Sequence, residues 1–342
     1  MTRNTWLIGV IAGSFLFLSV ETHADSVADF YHGKTINLII GNWAGSATDL
    51  YARTLSRHMG RHIPGNPTLV PQNMPGAGSL KAATYFYNVA AKDGLVLGTF
   101  ASSAIFEPLL GNKAANFDST KFGWIGNMDE SVATCTVSGK SGITHFDDLM
   151  NKETLFGATS AASVTAQFAV ALRNMTGAKI KVITGYHGAN DIPLAMERGE
   201  VAGQCAVSLS LIKTQLVEDI KAGRIRPIIQ LGSKKSPDLP GVADIYDYAK
   251  NEQDRQIFDL IFGRQELGRP VLAPPNLPSD RLQALRAAFM TTMKDPIFLT
   301  DAKKMKMDID PSSGDEVEQM LTRFYSYPKA IVDKAEEVTR LQ

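Results

Sequence analysis

The segment TINLIIGNWAGSATDLYAR, residues 35–53, changes its period halfway along. Thr35 to Gly41 is a short apolar run rich in β-branched residues, the pattern of a buried strand. From Tyr51 the apolar positions recur at every fourth residue, through Leu55 to Met59, which predicts a helix with one buried face. Between them lie only small or polar residues and one tryptophan: Asn42, Trp43, Ala44, Gly45, Ser46 and Ala47. Ser46 followed three residues later by Asp49 reads as a capping pair at the helix start. The same grammar returns in LFGATSAASVTAQFA, residues 155–169: a strand to Gly157, then Ala158, Thr159, Ser160, Ala161, Ala162 and Ser163, then a helix. Such turns expose unpaired backbone N–H groups at the positive end of a helix dipole. In an open α/β sheet they lie at the carboxyl ends of strands, where ligands bind. Two of them on facing lobes would clamp a carboxylate; each alone is also explained by tight strand-to-helix packing.

Working outward, further strands are expected at 67–73, 95–101, 131–137, 155–159, 180–185, 201–207 and 226–232, alternating with helical patterns. Alternation of this kind is α/β architecture. From about residue 242 the chain is nearly all helix, broken by GRPVLAPPNLPSD, whose prolines favour an extended return segment. Leu282, Leu285, Phe289 and Met293 mark one face of the helix that follows, with Ser279 as its expected N-cap. GWIGNMDE (123–130) and AGRIRPIIQLG (222–232) are the expected crossings between two lobes.

The composition excludes some partners. With 35 basic and 35 acidic residues and no basic run longer than two, nucleic acid is not expected as a ligand. At the start, Arg3 precedes an apolar run from Trp6 to Val20, and Thr22, His23 and Ala24 precede Asp25. This is the pattern of a secretory signal peptide over 1–24, its apolar run being short of the ~20 residues that span a bilayer. Two cysteines, Cys135 and Cys205, each sit in a strand-like stretch. In an oxidising compartment they are a disulfide candidate; two buried free thiols are the alternative.

Motifs for catalysis are missing: there is no nucleophile elbow, no His-Glu-x-x-His and no metal-spaced Cys/His cluster, so neither catalytic residues, cofactor nor metal are expected. His58 and His62 are four apart, but Arg57 and Arg61 flank them, and the pair reads as a solvated helix end. PQNMPGAGSLKAA (71–83) offers Gly76 and Gly78 as a phosphate cradle, yet position 81 is Lys81 where a third glycine would stand, and no Gly-Lys-Ser/Thr follows.

Taken in order, INLIIGNWAGSATDLYAR, NPTLVPQNMPGAGSLKAATYFYNVAAKDGLVLGTF, GYHGANDIPLAMERGEV, AGRIRPIIQLGSKKSPDLPGV and PVLAPPNLPSDRLQALRAAFMTTMKDP form one pattern across the mature chain. It resembles the extracytoplasmic substrate-binding receptors of tripartite tricarboxylate transporters, the Bug proteins. The resemblance implies a two-lobed periplasmic-binding-protein fold of the type II, flytrap kind with an interlobe cleft. Lobe one would be 25–128 with 227–342 and lobe two 129–226. It implies a monomeric periplasmic receptor that captures a small organic acid and delivers it to membrane transporter subunits. A sensor signalling to a membrane kinase, or a periplasmic enzyme acting on a carboxylate, are the alternatives. Carried over by position, the ligand would meet Asn42, Trp43, Ala44, Gly45, Ser46, Ala47 and Asp49 in the first turn. In the second it would meet Thr159, Ser160, Ala161, Ala162 and Ser163, with Gly76 and Tyr186 beside the cleft. This chain departs from the family where Trp43-Ala44-Gly45-Ser46 replaces Pro-Pro-Gly-Gly and where the second turn has lost its glycines. QCAVSLS likewise lacks the Asp that members often carry there. The implied fold also makes the strands of Cys135 and Cys205 neighbours, which favours the disulfide.

Overall fold

The structure, a computed structural model, describes residues 26–130, 132–161 and 163–341. The expected signal peptide lies outside these residues. The chain begins with β1 (Thr35–Ile40), β2 (Thr68–Asn73), β3 (Val96–Thr99) and β4 (Gly123–Asn127). It then runs through β5 (Ala133–Ser138), β6 (Thr154–Ala158), β7 (Ile180–Thr184), β8 (Gly203–Ser208), β9 (Ile225–Leu231) and β10 (Ala243–Asp244). It returns with β11 (Pro270–Ala273) and β12 (Ser312–Ser313). Two six-stranded sheets result, in the orders β12-β4-β11-β3-β1-β2 and β10-β9-β5-β8-β6-β7, one in each lobe.

Alternation along β1 explains why the opening segment sits at the centre of a lobe. Ile36, Leu38 and Ile40 pack with Tyr51, Leu55 and Met59 of the helix Ala47–Met59, while Ile39 faces the opposite core. A strand buried on both faces reads as a continuous apolar run, as this one does. On the other side of the same core, Leu285, Phe289 and Met293 of the helix Ser279–Lys294 are buried, and Leu282 packs beside them. That helix is preceded by Pro278 at the cap position, and Ser279 is its first residue rather than its N-cap.

Two expectations about the crossings need correction. GWIGN is not a linker but β4, fully buried in the first sheet. Its glycines disguise it: a Cβ on Gly126 would stand 2.3 Å from the Phe289 ring, so glycine is what lets the covering helix approach. The crossing follows it, at 128–132. The second expected crossing, AGRIRPIIQLG, is β9, which pairs antiparallel with β5 and carries β10 on its outer edge. The second sheet therefore extends past residue 226, through Asp244, and the strands return to the first sheet only at β11.

The two crossings run side by side. Met128 N donates to Arg269 O (3.0 Å) and Gly268 N to Asp129 O (3.1 Å), while Glu130 N donates to Asp310 O (3.1 Å) of the segment that leads into β12. Beyond them the C-terminal chain touches both lobes. Phe324 meets Phe106 edge-on at 5.2 Å on the first-lobe side, and Phe262 meets Phe168 of the second-lobe helix Val164–Thr176 at 5.0 Å. Asn174 of that helix donates to Val338 O of the last helix, Lys329–Thr339 (2.9 Å).

Within the second sheet, Cys135 on β5 and Cys205 on the adjacent β8 are joined by a disulfide, and both are fully buried.

Candidate functional site

Strand direction places the two small-residue turns. β4 leads into the first crossing, and β11 is antiparallel to both β4 and β3, so β3 and its parallel neighbours β1 and β2 also end on the crossing side. In the other lobe β5 starts from that crossing; β8 is antiparallel to it, and β6 and β7 are parallel to β8 and to each other in turn. The turns after β1 and β6 thus open at the sheet edges that flank the crossings, one from each lobe.

Each turn is fixed by its own lobe. In the first, Ser46 Oγ accepts from Asp49 N (3.2 Å) and Gly45 N donates to Asp49 Oδ2 (2.9 Å). The buried Asp49 carboxylate also accepts from Arg53 Nε (2.9 Å) and Asn73 Nδ2 (2.8 Å), and Asn73 Nδ2 donates to Asn42 O as well (3.0 Å). Those donors, with the Gly45 amide, hold its carboxyl below the ordinary aspartate range against the opposing cost of burial. Asp49 shapes the turn from beneath, and its oxygens are already occupied. Asn42 Oδ1 accepts from Ser79 Oγ (3.2 Å), which in turn accepts from Ala101 N (3.1 Å). Gly76 belongs to the same corner, where four successive residues have positive φ: Gly76 (147°), Ala77 (46°), Gly78 (61°) and Ser79 (79°). Left-handed backbone at Ala77 and Ser79 is costly and persists where surrounding structure over-determines it, commonly at ligand clamps. The PGAG glycines serve this corner. Trp43 is 74 % exposed, so it is not a packing residue.

In the second turn Ser163 Oγ donates to Ser160 O (2.6 Å), shares a hydrogen bond with Thr165 Oγ1 (2.8 Å) and caps Ala166 N (3.4 Å). Thr159 N donates to Thr165 Oγ1 (3.2 Å). The Tyr186 ring covers Gly157, where a Cβ would lie 3.1 Å from it, at the root of this turn. Ala162 lies outside the described residues. Ser160 and Ala161 are exposed. Among the described residues no hydrogen bond joins the two turns: each set is assembled within its own lobe.

Two features of the crossing region escape the sequence. The first is Arg264, 6 % exposed, just after the helix Glu252–Phe262. It borders a cavity of about 560 Å³ shared by Glu107, Leu110 and Asn112 of the first lobe and Ala161 and Gln167 of the second. The second is Asp129 in the crossing itself, 7 % exposed, on a separate cavity of about 390 Å³ with Lys213, Asp308 and Asp310. Burial, with the nearby Asp308, Asp310 and Glu130, pushes the Asp129 carboxyl up to about 6 despite the opposing Arg269.

A pH dependence follows. A carboxyl raised from near 4 in the unfolded chain to about 6 in the fold favours folding while protonated, and that contribution is lost as pH rises from about 4 to about 6. Asp129→Asn, with the same shape and no charge, is expected to stabilise the protein at pH 7–8 by on the order of 2 kcal/mol. It should also flatten the fall in stability between pH 4 and 6, measured by denaturant melts across that range. An unchanged pH profile would contradict the placement of this carboxyl.

His58 and His62 are not a solvated end. His58 Nε2 pairs with Asp301 Oδ2 (2.9 Å) and His62 Nε2 with Asp295 Oδ2 (2.8 Å), fastening this helix end to the segment around the helix Pro296–Lys304. The hydrogen bonds from Arg61 and His62 hold Asp295 well below the usual carboxylate range.

No family model matches the chain, and no curated protein matches it in sequence. Solved structures match its fold. A TctC solute-binding protein from Polaromonas superposes with a TM-score of 0.68 at 17% identity, covering 89% of this chain and 99% of that one. MatC from Rhodopseudomonas palustris, solved with bound malate, gives 0.60 at 14% identity over 90% of this chain and 99% of its own. A second R. palustris protein, solved with adipate, gives 0.61 at 17% identity, covering 89% and 97%. The chain has the two-lobed α/β fold of the TctC-type periplasmic solute-binding proteins.

Proposed function

We propose that this protein is an extracytoplasmic solute receptor that takes a small organic acid between its lobes. The observation that carries this reading is the strand direction: both small-residue turns, each opening a 13-residue helix, sit on the sheet edges that flank the crossings. Free N–H groups at two helix starts favour a negative charge brought between them. Within Asn42 to Ala47 and Thr159 to Ser163, the amides of Gly45, Ser46, Thr159, Ser160 and Ser163 are spent inside the turns. Those of Asn42, Trp43, Ala44, Ala47 and Ala161, with the turn hydroxyls, are therefore the groups offered to the ligand. Gly76 and Tyr186 shape the walls, and Trp43 offers a flat apolar face to the ligand's carbon skeleton. Asp49 holds the first turn in shape. The malate and adipate held by proteins of the same fold suit this chemistry.

Binding would draw the equilibrium toward closed lobes, since the ligand gains its second set of contacts only there. The closed form is then what a tripartite tricarboxylate-type membrane transporter recognises, in the periplasm, with the signal peptide removed and the receptor acting as a monomer. Nothing in this cycle alters the ligand.

A thermal-shift screen of the protein from Asp25 onward against mono-, di- and tricarboxylates tests the reading. An acid at about 100 times its Kd adds ~2.7 kcal/mol. For a chain of 342 residues that is a rise in Tm of about 4 °C. The acid should be recovered unchanged. A flat response across the panel contradicts the reading, and turnover of a bound acid would point to an enzyme.

A further inference from the structure

The Arg264 guanidinium is buried without a counter-ion. Its Nη2 donates to the amide oxygen of Gln167 (2.7 Å), and its carbon lies 5.5 Å from the centre of the Phe168 ring. Among the described residues, Nε has no hydrogen-bond partner and no carboxylate pairs with the group. The two acids bordering the same cavity are engaged elsewhere: Glu107 accepts from Asn112 Nδ2, and Glu336 pairs with Arg340. Desolvation accordingly pulls the Arg264 pKa down to about 10, with Glu107 the one charge that opposes it. The guanidinium borders about 560 Å³ of open space, and a planar fork with N–H groups still unspent is a carboxylate's complement. The cavity is large enough for a small organic acid.

We propose that Arg264 pairs with one carboxylate of a diacid ligand, binding it in the cavity between Ala161 of the second turn and the 107–112 segment of the first lobe, while the ligand's other carboxylate lies between the two turns. The proposal rests on the receptor reading above and adds to it the residue that carries the opposite charge. It also explains how binding reports on closure. Arg264 belongs to the second crossing, Ala161 and Gln167 to one lobe, and Glu107 and Leu110 to the other, so an anion seated here touches all three. Residues 159–163 carry no glycine, so their side chains crowd a purely backbone-bound carboxylate, and a side-chain cation at the turn's flank offsets this.

Gln167→Glu tests this without removing the arginine. The substitution is nearly isosteric and places a carboxylate on the fork from inside the protein, as the ligand would. Titration calorimetry with malate and adipate, and with neutral adipamide as control, is run on wild type, Gln167→Glu and Arg264→Gln. We expect Gln167→Glu to raise the melting temperature of the free protein and weaken the acids at least thirtyfold, with adipamide unaffected. Arg264→Gln should weaken the acids to the same degree. Unchanged acid affinity in a folded Gln167→Glu protein overturns the proposal and leaves the receptor reading standing. Failure of both acids and of the wider carboxylate panel on wild type overturns the two together. A raised melting temperature with unaltered acid binding would assign Arg264 a structural role only, and so also overturns it.

Discussion

Replacing Cys135 and Cys205 together by alanine is expected to destabilise the protein by about 4 kcal/mol. At this chain length that lowers Tm by roughly 6 °C. The bond closes a loop with a sequence separation of 70, long enough for the unfolded chain to lose substantial freedom to it. It also ties β5 to β8 at the centre of the second sheet, where β5 is held by β9 on its other edge. Neither cysteine borders a turn, so a carboxylate that binds wild type should bind the folded double variant with unchanged affinity. Thermal melts of both proteins, with calorimetry below the transition, check this. A Tm within 1–2 °C of wild type would show that the sheet is held without the bond.

Filling either turn should abolish ligand binding. Ala47 and Ala161 are exposed at the two turns, and neither makes a side-chain cap. Ala47→Trp and Ala161→Trp therefore add bulk where the ligand's carboxylate would sit. Each should cost about a thousandfold in affinity, ~4 kcal/mol. Tm of the free protein should stay within a few degrees. The serines are poorer targets, because Ser46 and Ser163 are the N-caps of their helices and losing a cap costs ~1 kcal/mol by itself. Normal affinity in both alanine variants would place the ligand away from the turns. Weakening in Ala161→Trp alone would put it in the second lobe's half of the cleft.

What could be read from the sequence was what local pattern controls. β1 and its helix were visible in residues 35–53 because β-branched spacing and an i+4 apolar row are properties of neighbouring residues. β4 was not, since Gly123 and Gly126 answer to a helix more than 150 residues away that must pack closely over them. The end of the second lobe was misplaced for a related reason: Ile225–Leu231 reads as a strand, but which sheet receives it depends on pairing with β5. At the site, the serine caps and the small-residue turns were legible. The closure of Asp49 by Arg53 and Asn73 was not, nor the burial of His58 against Asp301, since each depends on a distant element. Arg264 lies in GRQELGRP, where nothing in the spacing sets it apart from a surface arginine. Only the packing of three segments around it strips it of water.

The proposed binding site between the lobes carries its own reporter. Of the three tryptophans, Trp6 falls in the expected signal peptide, Trp124 is fully buried and Trp43 stands exposed in the first turn. In the protein from Asp25 onward, quenching of fluorescence by neutral acrylamide therefore reads Trp43. Adding a carboxylate that binds by calorimetry should protect Trp43 from acrylamide and shift its emission to the blue, saturating at one acid per chain. If the acid binds and Trp43 remains as quenchable as before, the ligand is not held between these turns.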